Sequence, residues 1–132
     1  MTEYPHQRTL KTILVLDAAT CTGMGLLLIL ASGLVARITQ IPAPLLFWAG
    51  LLLLPVAGFM VLTARDPHAS AWAVLVIVAG NLLWVLASLA LPMIGVIAPN
   101  ALGWAFILAQ AIAVTLFAWL EWSARHTGVA AS

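Results

Sequence analysis

The residues that could do chemistry in this sequence are few, and their surroundings make them conspicuous. Asp17 is the single charged residue between Lys11 and Arg37, and Asn81, Trp84 and Gln110 fall in the 54 residues from Pro67 to Leu120, which contain no Asp, Glu, Lys or Arg. A carboxylate inside a membrane span costs ~2.5–3.5 kcal/mol on insertion scales, and such groups usually face the bundle interior with a partner. Two readings of Asp17 follow. In the preferred one it lies just below the cytoplasmic headgroups, paired with Arg65, Arg125 or Lys11, or with water. In the other it faces inward as a proton or ligand site.

Asn81, Trp84 and Ser88 share one helical face through their three- and four-residue spacing, and Gln110 shares another with Gly103, Val114 and Phe117. The simpler reading of these amides is helix-to-helix hydrogen bonding, worth about 0.6 kcal/mol per pair. The functional reading is a polar floor in an apolar pocket, the usual construction of a small-molecule site. Trp84, whose indole N–H needs a partner when buried, is the best pocket aromatic. Asp17, Asn81, Trp84 and Gln110 are therefore the candidate ligand-binding residues.

Other chemistry is not signalled. The sequence has no phosphate-cradling glycine loop, no His-Glu-x-x-His and no nucleophile near a histidine. His6, His68 and His126 all fall in tails or loops, so no haem can be held within the bilayer by two of them. No catalytic residue, metal ligand or cofactor is assigned, and no enzymatic activity is expected. The single cysteine, Cys21, cannot form an internal disulfide. Ala18-Ala19-Thr20-Cys21 has a faint likeness to a lipoprotein cleavage site, but the apolar run continues past it and Asp17 precedes it. That run is also longer than the 7–15 apolar residues of a cleaved signal peptide. The first segment is thus expected to stay in the membrane.

The elements that position these residues follow from composition. Of 132 residues 64% are hydrophobic and 7% charged, against roughly 25% charged in a soluble domain. Lipid must be the surroundings. A net charge of +1 offers no basic face for nucleic acid. About 20 apolar residues cross a bilayer, which gives four spans over roughly 11–36, 43–64, 70–92 and 101–123. The expected fold is a single all-α domain over 1–132, a polytopic four-helix antiparallel bundle.

Local signals support those bounds. Pro44 suits the first turn of the second helix, Ser70 would cap the third and Asn100 the fourth. Pro55 is expected to kink the second helix, and the third should end in the turn around Pro92, Gly95 and Pro99. The small residues Ala18, Cys21, Thr22 and Gly25 in the first helix, and Ala105, Ala109 and Ala113 in the fourth, are read as close-packing faces. Trp72, Trp119 and Trp122 would mark one membrane interface and Trp48 and Trp104 the other. Glu121 and Arg125 have the spacing of an exposed ion pair.

Four basic residues, Arg8, Lys11, Arg65 and Arg125, fall on one side of this topology and Arg37 alone on the other. Cytoplasmic loops hold the Lys/Arg excess, so both termini are expected in the cytoplasm. An offset of 56 residues lays Leu26–Ala49 over Leu82–Ala105 with ten identities in 24 pairs, including Ile41 over Ile97 and Trp48 over Trp104. Two similar helical hairpins related by an axis along the membrane normal would produce this.

The run Leu16-Asp17-Ala18-Ala19-Thr20-Cys21-Thr22-Gly23-Met24-Gly25, the run Asn81-Leu82-Leu83-Trp84-Val85-Leu86-Ala87-Ser88 and Gln110 resemble those of small four-helix bacterial inner-membrane proteins of the DoxX-like sort. The resemblance covers all four spans and implies a bacterial inner membrane and a four-helix bundle. It supplies no catalytic residue. The function expected is binding of a partner protein or a small apolar ligand, a lipid or quinone, by a protein surrounded by membrane lipids, with a homo-oligomer as the alternative to a different protein partner. The alternative is a proton-coupled transporter using Asp17, which requires that residue to face inward beside Asn81 or Trp84. Small multidrug transporters also have four short helices and one acidic residue in the first.

Overall fold

Without water to satisfy the backbone, a chain of this composition is restricted to elements that close their own hydrogen bonds. The computed structural model describes residues 5–66 and 71–131, and side chains over 9–66 and 71–124. Five helices account for nearly all of it: α1 (Pro5–Leu30), α2 (Ser32–Thr39), α3 (Ala43–Arg65), α4 (Ala71–Met93) and α5 (Ala101–Ala131). Four stretches are long and apolar enough to cross a membrane, namely Thr9–Leu30, Ala43–Arg65, Ala71–Met93 and Ala101–Ala124. The outer surface is correspondingly apolar: Leu30 is 82% exposed and Met93 75%. Such a surface needs lipid around it.

The first span differs from the single helix expected over 11–36. It breaks at Ala31, which has φ −123° and ψ 25°, and resumes as α2, which runs on to Thr39. The hydrogen bonds Ala31 N–H to Leu27 O and Val35 N–H to Ala31 O carry through the break, so this is a kink. Ser32 and Gly33 follow at once, and Gly/Ser pairs are a known site of such kinks. Under the 56-residue offset Ala31 corresponds to Ala87, inside the uninterrupted α4, so the kink has no counterpart in the second hairpin. Ile41 and Ile97 are both buried. The other bounds fall within a residue of expectation, except that α1 begins at Pro5 and α5 continues to Ala131.

The helices pack as α3 on α1, α1 on α5, and α5 on α4, while α3 and α4 touch least of the packed pairs. At the α1–α3 crossing the two backbones meet through glycine. A Cβ on Gly50 would lie 2.7 Å from the Gly25 carbonyl oxygen and 2.9 Å from Leu28 Cβ. Of the small face read in α1, Ala18, Cys21 and Gly25 are buried and Thr22 is exposed. α3 runs unbroken through Pro55, with Pro44 in its first turn.

Where α2 ends, Gln40 caps it in the left-handed conformation, φ 61°, with its N–H on Ala36 O. Asn100 then ties this end to the last span. Its Oδ1 accepts the Gly103 N–H at 2.8 Å, the expected N-cap, while its Nδ2 donates to Ile38 O at 3.0 Å and its backbone N–H to Thr39 O at 3.1 Å. Gly103 lies against the Thr39 carbonyl, where any side chain would collide. Ser70, proposed as the cap of the third span, lies outside the described residues.

Candidate functional site

Three helical faces converge on the bundle interior. In α1, Asp17, Cys21, Met24 and Leu28 follow one another at four-, three- and four-residue steps, one stripe of a helix. In α4 the stripe is Asn81, Trp84, Ser88 and Leu91. In α5 it is Gln110, Val114, Phe117 and Glu121. All of these residues except Asn81 and Glu121 line a cavity of about 620 Å³ bounded by α1, α3, α4 and α5. Ala109 and Ala113 also line it. The alanine stripe of the last span therefore forms cavity wall, and Ala105 and Ala109 are exposed. The buried alanines of α5 are Ala111, Ala118 and Ala124, so small residues here make space instead of drawing helices together.

The polar end of this arrangement is built around Asn81. Its Nδ2 donates at 3.0 Å to Asp17 Oδ2 and at 2.9 Å to Glu121 Oε1, which uses both of its N–H groups. Asp17 is 2% exposed, Asn81 6% and Glu121 0%. Cys21 Sγ, one turn further along α1, donates to Asp17 Oδ1 at 3.6 Å. Both carboxyls are thus held on a single nitrogen. Among the described residues Glu121 Oε2 has no hydrogen-bond partner. Among the described residues the α1 and α4 backbones make no close approach, so the Asn81 side chain spans the gap between them.

These positions overturn two expectations. Asp17 is neither open to water nor paired with Lys11 or Arg65, both of which are exposed; it lies about 12 Å along the helix from Thr9 at 1.5 Å per residue and turns inward, and a pairing with Arg125 falls outside the described side chains. The stripe explains this, because Asp17 shares it with Cys21, which is buried. Glu121 is not half of an exposed ion pair either: it is enclosed and bonded to Asn81. The Arg125 and His126 side chains, like those of His6 and His68, lie outside the described residues, and so does any metal site they would form. Among the described residues no three His, Cys, Asp or Glu side chains are placed to hold a metal.

Deeper in the bundle, Trp84 Nε1 donates to Gln110 Oε1 at 2.8 Å, and Gln110 Nε2 donates to Ile107 O at 3.0 Å. Asn81 and Gln110 each join helices, as the simpler reading expected, while Gln110 and Trp84 also form a polar patch on an otherwise apolar cavity wall. Of the four sequence candidates, Asp17 and Asn81 meet at one end and Trp84 and Gln110 meet beside it. The residue that sequence reasoning missed is Glu121. The signal was present, since Glu121 lies eleven residues from Gln110 on the stripe that includes Phe117.

The spans and this interior define an integral membrane protein with an interior cavity, to whose wall a carboxyl–amide–carboxyl cluster contributes Asp17. Comparison with known families, with curated proteins and with solved structures finds no match to the chain.

Proposed function

We propose that the protein binds, without transforming it, a small molecule drawn from the lipid phase, with a lipid- or quinone-like apolar body and one polar end. The observation that carries this reading is the cavity. Its volume of about 620 Å³ falls within the roughly 300–1,000 Å³ of small-molecule sites, and few polar groups in an apolar wall is how such sites fix orientation. Asp17 marks one end of the cavity and the Trp84–Gln110 pair its side. The resemblance to DoxX-like proteins and the excess of basic residues at the termini support a bacterial inner membrane with both termini in the cytoplasm.

Native mass spectrometry of gently extracted protein tests the binding reading. The wild type should carry a co-purifying small molecule, and Ala113→Phe, which fills the cavity from its wall, should not. Equal adducts on both proteins, or none on either, would discard it.

A second reading, proton-coupled transport, is favoured by one specific observation: Asp17 faces inward beside Asn81, as a coupling carboxylate must. Asp17→Asn keeps the shape and removes the titration. Proton-driven flux in liposomes that survives this substitution, or is absent from both proteins, would remove the transporter.

A further inference from the structure

The cluster of Asp17, Asn81 and Glu121 has an odd electrostatic composition for a buried site. Two acids meet on one neutral amide, whose nitrogen has no third N–H to give. The other donor to the pair among the described residues is a thiol, which is weak. No cation balances the pair among the described side chains. On α1, Lys11 is exposed near the start, and His6 and Arg8 lie beyond the described side chains; on α2, Arg37 is exposed at the opposite end of the bundle; on α3, the one charged residue, Arg65, is exposed at its last position. α4 carries no charged residue at all. On α5 the charged groups are Glu121 itself and, beyond the described side chains, Arg125 and His126.

Two ionised carboxylates this close in a medium of low polarity repel strongly, and such pairs hold one proton between them. One proton also completes the hydrogen bonding. A carboxylic acid O–H shared between Asp17 and Glu121 would serve Glu121 Oε2, the atom left without a partner among the described residues. With one proton between them the pair would carry a single negative charge, and of the two only Asp17 lines the cavity.

We infer that the polar end of the ligand is cationic: a hydrophobic monocation such as an aryl-alkyl ammonium seats its body in the cavity and its charge against Asp17, displacing the proton that Asp17 and Glu121 share. This rests on the cavity being the binding site. The walls suit such a guest, because Trp48, Trp84, Phe106 and Phe117 line the cavity and aromatic faces attract cations. An anion would meet the charge of the pair, and an uncharged end could not stand in for the lost proton. The exchange balances. One monocation enters, one proton leaves to water, and the charge enclosed by the bundle stays at minus one.

The test uses wild-type protein in nanodiscs of zwitterionic lipid, a phenylbutyl-trimethylammonium ion and its uncharged tert-butyl isostere. The quaternary ion has no proton of its own to contribute. Binding is read from tryptophan emission with Ala113→Phe as the blank, and proton release from a pH indicator in weak buffer. The ammonium ion should bind at least tenfold more tightly than the isostere and release close to one proton per ion bound. Equal affinity, or tighter binding without proton release, overturns the inference while leaving the cavity as a site. If neither probe separates wild type from Ala113→Phe, the cavity reading falls with it. Glu121→Gln removes the second acid but keeps its shape, so it should bind the ion without releasing a proton. Release that persists in that variant would overturn the role given to the pair.

Discussion

Asp17 and Glu121, from the first and last spans, are held on the same nitrogen atom, the Nδ2 of Asn81. One amide thereby joins three helices, two of which make no close backbone contact. Asn81→Leu should leave two buried carboxyls without their shared donor. A loss of about 1–3 kcal/mol is expected from one such unsatisfied group, read as a lower unfolding midpoint in detergent titration. Double substitution to Asp17→Asn and Glu121→Gln should be milder than Asn81→Leu, because amides can donate as well as accept.

Close approach of α1 and α3 depends on two glycines. A Cβ on Gly50 would meet backbone at 2.7 Å, whereas one on Gly58 meets nothing within 4 Å. Gly50→Ala should therefore destabilise by roughly 1–3 kcal/mol, the usual range for overpacking. Gly58→Ala should be neutral or stabilising by up to about 1 kcal/mol through helix propensity. Thermal unfolding of the two variants side by side checks the contrast, and similar midpoints would mean the crossing tolerates a wider separation.

The junction of α2 with α5 rests on Asn100. Asn100→Ala removes the cap on the Gly103 N–H and the bond to Ile38 O, and N-cap loss typically costs about 1 kcal/mol. Hydrogen exchange should show the effect first in the opening turn of α5. Uniform acceleration across all spans would instead point to a global role.

Topology makes an independent prediction. Reporter fusions after Arg65 and at Ser132 should report cytoplasm, and one after Asn100 the opposite side. A C-terminus on the far side would require the orientation to be inverted or the spans recounted.

The spans were legible because hydropathy and the bilayer's thickness leave little choice, and the Asn100 cap because its side chain acts on residues three positions away. The kink at Ala31 was not legible: Ser32 and Gly33 permit it, but the helical run is apolar on both sides and gives no boundary. For the site, the inward set emerged only in part. Distance from the membrane surface is a poor guide to Asp17, and its stripe with Cys21 is a better one to where it points. For Glu121 the neighbour Arg125, four residues on, suggests an ion pair, whereas the stripe it shares with Gln110 turns it inward. Local pairing rules compete with periodicity at such positions, and a hydrophobic flank such as Ala118-Trp119-Leu120 decides in favour of periodicity.

The loose contact between α3 and α4 has a consequence for how any guest must be counted. Trp48 and Leu52 on α3 line the cavity and are also exposed, at 67% and 55%, so the rim on this side borders acyl chains, and a guest can enter sideways without crossing water. Its effective concentration is then its mole fraction in the bilayer. Apparent affinity expressed against total aqueous concentration should weaken in proportion as lipid is added at constant protein, while occupancy plotted against mole fraction should fall on one curve.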